Sequence, residues 1–203
     1  MEEHITFGSD GLSIEGLLAQ GTGKRGIVIT HPHPHYGGDM HNAIVDLIKK
    51  VGRYYDYTTL RFNFRGTGRS EGHFDDGSGE QSDILNAVAF LQHMGIKQVD
   101  LAGYSFGAWV ISECFRDKIP PVDRVMMVSP PIDFLEFHEG VHIPGLNLVV
   151  SGDEDTFAID KDIRAYASSW NKDVHIQIIS GADHFYSGMM GRLESAIKPF
   201  FQS

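Results

Sequence analysis

A chain of 203 residues has room for one domain with a sizeable core and little for a second. Its 41% apolar and 22% charged residues match folded globular proteins and exclude collagen-like, coiled-coil and disordered classes. Seventeen Lys and Arg against 27 Asp and Glu, a net charge of −10, give the wrong sign for general affinity to nucleic acid or anionic membrane.

Two alternating stretches, Ile5 to Phe7 and Leu12 to Leu18, flank Asp10-Gly11, a dipeptide suited to the positive-φ positions of a tight hairpin turn. Short runs rich in β-branched and apolar residues follow: Gly26 to Thr30, Thr58 to Phe64, Val99 to Ala102, Val125 to Val128, Leu146 to Val150 and Val174 to Ile179. They read as buried strands. Helical patterns separate most of them, from about Asn42 to Val51, Phe106 to Phe115, Lys161 to Trp170 and Arg192 to Phe201. A further one places Ile84, Leu85, Val88 and Leu91 at helical spacing, with Ser82 where an N-cap belongs and Gly95 where the pattern stops. Strands alternating with helices imply an α/β fold, a mostly parallel sheet with helices on both faces. Residues 1–203 show no internal repeat, low-complexity tract or linker, so a single domain is expected.

The pattern G-x-S-x-G occurs twice, at Gly68 to Gly72 and at Gly103 to Gly107. A nucleophile elbow needs a strand, a sharp turn and then a helix, so that the Ser hydroxyl stands exposed above the sheet edge. Only Ser105 has that context, with Val99 to Ala102 leading in and the apolar Ala108-Trp109-Val110-Ile111 following. The helix dipole there favours a developing oxyanion. Ser70 runs into the polar stretch Gly72 to Gly77 and reads as a loop residue. The bland reading of Ser105 is a Gly-rich turn without chemistry; partners elsewhere in the chain argue against it.

A serine hydroxyl needs a base, usually His, and the base needs a carboxylate to fix its tautomer. The chain order Ser, acid, His, each after a strand, is met by Asp153-Glu154-Asp155 and by His184. His138 and His142 fall in a connecting segment and His175 within a strand, so His184 is the preferred base. Position alone leaves the three acids open. An oxyanion hole takes one N–H from the residue after the nucleophile, here Phe106, and one from the loop after an earlier strand. That loop is His31-Pro32-His33-Pro34-His35-Tyr36-Gly37-Gly38. Its prolines have no N–H, which makes His33 the first choice and Tyr36 the second.

The alternating histidines also invite a metal, with Asp39 and His41 as further ligands. An extended chain, however, turns His31 and His35 to one side and His33 to the other. Gly66-Thr67-Gly68 suggests a phosphate cradle but fits neither G-x-x-x-x-G-K nor G-x-G-x-x-G. No metal and no cofactor are therefore expected.

The His31-Pro32-His33-Pro34 loop with Gly37-Gly38, the run Phe62 to Ser70, the Ser105 elbow and Gly181-Ala182-Asp183-His184-Phe185 together resemble the α/β-hydrolases. The similarity is greatest to their small, lidless, dienelactone-hydrolase-like bacterial members. The resemblance covers nearly the whole chain. It implies a mostly parallel sheet of about eight strands, and it aligns the triad acid with the Asp of Gly-x-x-Asp, favouring Asp155 over Asp153. Dienelactone hydrolases proper carry a cysteine nucleophile where this chain has Ser105, which argues against that activity. Only Ser129 to Gly145 lies where a lid would be inserted, too little for a cap domain.

The expectation is a serine hydrolase, carboxylesterase-like, that cleaves a small ester, thioester or related acyl compound through an acyl-enzyme. The competing class is a noncatalytic binding or scaffold module on the same fold. The single cysteine, Cys114, cannot form an internal disulfide, and the chain opens without the basic or apolar part of a signal peptide. Its apolar runs fall far below the about 18 residues of a membrane span. A cytoplasmic protein acting on a small-molecule acyl substrate, without nucleic acid or membrane as partner, is expected; the oligomeric state is left open.

Overall fold

Asp10 and Gly11 adopt φ of 50° and 82° and fold β1 (Glu3–Ser9) back on β2 (Leu12–Ala19), with Ser9 opposite Leu12 and Glu3 opposite Leu18. The computed structural model describes residues 1–202; Ser203, the end of the expected 1–203 domain, lies outside them. Among the described residues the chain continues through β3 (Arg25–Thr30), α1 (Ala43–Tyr54), β4 (Thr58–Phe62), α2 (Ser78–His93), β5 (Gln98–Tyr104) and α3 (Phe106–Asp117). It ends with β6 (Val125–Val128), β7 (Leu146–Gly152), α4 (Asp160–Trp170), β8 (His175–Ile179) and α5 (Met190–Gln202).

The eight strands form one sheet in the order β1-β2-β4-β3-β5-β6-β7-β8. The hairpin attaches antiparallel to β4, and every pair from β4 to β8 is parallel. The central strands are apolar on both faces because both are covered. Val28, Leu101, Met127 and Val149 join the core beneath α2, α3 and α4. Their neighbours Ile29, Ala102, Val128 and Val150 face α1 and α5. Asn42 caps α1, its Oδ1 accepting the Ile44 N–H at 2.9 Å. Between β6 and β7 the segment 129–145 holds only turns and bends, so no lid is inserted there. Among the described residues no helix is long and apolar enough to cross a membrane.

One helix start departs from expectation. Ser82 does not cap α2; the helix begins about a turn earlier, with Gly77 as N-cap. Glu80 sets that start by accepting the N–H groups of Asp75 and Gly77, each at 2.9 Å. The first turn buries Gly79, Glu80 and Gln81, which leave no apolar periodicity in the sequence. Replacing Glu80 by Ala strands two backbone donors, and we expect a loss of about 1–2 kcal/mol, read as a lower urea midpoint at unchanged m-value.

Candidate active site

β3 is followed by β4 on one side and then, through α2, by β5 on the other, so the loops leaving β3 and β5 diverge and open a crevice at the carboxyl ends of the strands. Ser105 stands in it, on the turn from β5 into α3, with φ 53° and ψ −120°. Positive φ is costly for a residue with a β-carbon, and the flanking glycines make the turn fit. A Cβ on Gly103 would lie 2.6 Å from the Ala108 nitrogen, and one on Gly107 would lie 2.3 Å from Thr30 Oγ1. The Ser105 N–H is anchored on the Val128 carbonyl at 3.0 Å.

His184, on the loop after β8, approaches from the other side. Its Nε2 is 2.9 Å from Ser105 Oγ, and its Nδ1 is 2.9 and 3.0 Å from the two Asp155 oxygens. An ionised carboxylate only accepts, so the shared proton sits on Nδ1 and the neutral ring offers Nε2 as acceptor to the Ser105 hydroxyl. Asp155 is buried and also takes the Phe157 N–H at 2.9 Å. Asp153 is exposed and turned elsewhere, its Oδ1 accepting the Gly181 N–H at 2.6 Å; Glu154 is exposed and its N–H donates to the Ala182 carbonyl at 3.0 Å. The acid loop and the His loop are thus laced together, and a Cβ on Gly152 would meet the Ala182 carbonyl at 1.9 Å. Glycine at that position is what allows the contact.

In the loop after β3 the expected residues separate into two uses. His31 is buried, its Nδ1–H donating to the Pro32 carbonyl at 2.7 Å and its Nε2 accepting the Phe64 N–H at 3.0 Å. Both ring nitrogens are committed, Nδ1 within this loop and Nε2 joining it to the residues that follow β4, which leaves none for a metal ion. The N–H groups of His35, Tyr36, Gly37 and Gly38 are all bound within the loop, that of Tyr36 to the His33 carbonyl at 3.1 Å. Among the described residues the N–H groups of His33 and Phe106 donate to no acceptor. The His33 ring packs on Phe106 with centroids 4.8 Å apart. Burial, with His35 nearby, lowers its pKa.

The G-x-S-x-G at Gly68 to Gly72 belongs to a polar tie between elements. Ser70 Oγ donates to the Asn63 carbonyl at 2.7 Å and accepts the Glu15 N–H at 3.1 Å. Asn63 in turn accepts the Met40 N–H at 2.8 Å and donates to Glu15 Oε1 at 2.7 Å. Gly68 turns at φ 58° against Asn63 and Glu15, and Arg65 pairs with Asp83 at 2.8 Å and Asp10 at 2.9 Å. The glycines near Thr67 therefore serve a strand-exit turn.

Sequence reasoning missed the support beneath His184. The Tyr104 hydroxyl donates to the His184 carbonyl at 3.0 Å, and Tyr186, buried at φ 54°, shares a 2.9 Å hydrogen bond with Ser129 Oγ. The only sequence signal was the place of Tyr104 inside Gly103-Tyr104-Ser105. Above Ser105 and His184 lies a cavity of about 370 Å³, walled by Tyr36, Phe106, Phe134, Leu135 and Phe157 among others. Its size falls in the usual range of small-molecule sites.

A family model described as the alpha/beta hydrolase family matches residues 27–196, and the chain belongs to that family. An uncharacterized protein of Rickettsia prowazekii is 32% identical over 201 residues, spanning 92% of this chain and 83% of that protein. A solved protein of unknown function from Agrobacterium tumefaciens is 30% identical with a TM-score of 0.88, covering 98% of this chain and 95% of its own. An alpha-beta serine hydrolase homologue from Coxiella burnetii is 28% identical with a TM-score of 0.87, covering 98% and 96%.

His31 makes stability pH-dependent. Burial pushes its imidazole down to about 4, against about 6.5 in an unfolded chain. The unfolded state thus binds the proton more readily: the contribution is complete above about pH 6.5 and is lost as pH falls toward 4, about 3 kcal/mol in all. Urea unfolding of wild type and His31→Asn at pH 7.5 and pH 4.5 should show the gap between them narrowing at the lower pH. An equal gap at both would remove His31 as the cause.

Proposed function

We propose that the chain is a serine hydrolase that cleaves a small ester or related acyl compound through an acyl-enzyme. Ser105 is its nucleophile, His184 the general base and acid, and Asp155 the residue that orients His184. The observation that carries this reading is the unbroken hydrogen-bonded series Ser105, His184, Asp155, at 2.9 Å on each side of the imidazole, on the floor of a largely apolar cavity. As the substrate carbonyl settles over Ser105, His184 Nε2 takes the hydroxyl proton and Oγ attacks the carbonyl carbon. The buried Asp155 carboxylate stabilises the imidazolium. Charge gathering on the carbonyl oxygen is met by the unengaged N–H groups of Phe106 and His33 and by the N-terminus of α3. Collapse expels the leaving group, which takes its proton from His184. Water, activated by the same imidazole, then releases the acid and restores Ser105.

The carboxylesterase-like reading draws support from a serine nucleophile and an uncharged cavity, and a cytoplasmic setting from the single, buried thiol of Cys114. Each step uses protein groups, the substrate and water.

Fluorophosphonate labelling and ester turnover test the assignment together. Ser105→Ala should abolish labelling, and both Ser105→Ala and His184→Ala should lower kcat by on the order of 10⁴ to 10⁶ with the fold intact. Asp155→Asn should cost on the order of 10⁴ in kcat by presenting the wrong hydrogen-bond partner, while Asp153→Asn should cost far less. Ser70→Ala should reduce stability by about 1–3 kcal/mol and leave kcat near wild type. Exhaustive chelation should leave turnover unchanged; loss restored by Zn²⁺ would contradict the reading, as would labelling that survives Ser105→Ala.

A further inference from the structure

Charge is distributed unevenly around the cavity. The segments 31–42, 129–145, 153–159 and 180–189, which follow β3, β6, β7 and β8, carry eight Asp and Glu and no Lys or Arg. Among the described residues no Lys or Arg lines the cavity itself. On the remaining loop, after β4, Arg65 is buried against Asp83 and Asp10, and Arg69 is exposed but outside the cavity wall. An anion entering here would shed water without meeting a cation, after crossing a field of its own sign.

Exposed aromatic rings border the cavity. Phe134 and Phe185 are 48% and 65% exposed, and Tyr36 is 74% exposed. All three stand at the cavity, where Phe134 meets Phe157 edge-on at 5.4 Å and Phe157 meets His184 at 4.8 Å. This leaves ring edges and faces set beside Ser105 in the offset and edge-on geometry that a planar ring would extend.

We infer that the substrate is an uncharged ester bearing an aromatic ring that packs against Phe134 and Phe157, and that esters carrying a negative charge are rejected, phosphate-bearing acyl carriers included. This rests on the catalytic reading of Ser105.

Three methyl esters test it at pH 8: methyl 4-methylbenzoate, monomethyl terephthalate and methyl cyclohexanecarboxylate, each normalised to its hydroxide-catalysed rate. The neutral aromatic ester should exceed the terephthalate in kcat/KM by about 100-fold or more, and raising the salt should narrow that ratio by screening the loop carboxylates. It should exceed the cyclohexyl ester by about 5-fold, a margin lost in Phe134→Ala. Slowing of fluorophosphonate labelling at Ser105 by each ester reads occupancy even where turnover is slow, and should follow the same order. An anionic ester that matches the neutral one within threefold, or a preferred cyclohexyl ester, overturns the inference. If Ser105 still labels in that case, the catalytic reading stands and only the substrate class falls; if Ser105 does not label at all, both fall.

Discussion

The backbone of Ser105 lies at φ 53°, a conformation that costs a residue with a β-carbon about 1–3 kcal/mol, and much of the surrounding structure serves to hold it there. The cost is met by closeness. Without side chains at Gly103 and Gly107, α3 starts directly against the end of β3 and the turn has no room to relax. The Ser105 N–H is bound to the neighbouring strand β6, so relaxing the turn would also break a buried hydrogen bond. What results is a hydroxyl lifted above the carboxyl ends of the strands, where the switch in strand order leaves a crevice.

A strained elbow needs partners that stay put, and the loops that carry them are fastened by polar groups with few other uses. His31 ties the loop after β3 to the residues that follow β4; Asp153 ties the acid loop to Gly181; Tyr104 reaches from the elbow strand to the His184 carbonyl. Asn63, Glu15 and Ser70 lock the exit of β4 to the hairpin. Apart from the exposed Asp153–Gly181 bond, each is made in a buried or half-buried place, where leaving one partner unpaired is more damaging than the bond itself is stabilising. These fasteners give a structural use to the G-x-S-x-G at Gly68 to Gly72 and to the first histidine of the His-Pro tract.

What could be read from the sequence was what depends on neighbours in the chain. The strands β3 to β7 announced themselves by composition and the helices by period, because each is local; β8, which reads as buried, is an edge strand in which only Ile179 is buried. The elbow could be told from its rival for the same reason, since only one serine has a strand before it and an apolar helix after it. The start of α2 could not, because Glu80 and Gln81 are buried polar residues that break the apolar pattern. The acid loop was ambiguous in a different way: Asp153 and Asp155 sit two residues apart, and it is the docking of residues 152–155 on residues 179–182 that sends one carboxylate to Gly181 and the other to His184. The pairing of Tyr186 with Ser129 spans 57 residues and leaves no local trace.

A serine hydrolase of this design carries the acyl group on Ser105 during turnover. Acid-quenching the protein early in its reaction with an ester, followed by peptide mass mapping, measures this directly. The expected result is a mass increase equal to the acyl group on the peptide containing Ser105, rising faster than steady-state product and absent in Ser105→Ala. Turnover with no acylated peptide, or with the acyl group on the peptide containing Ser70, would contradict it.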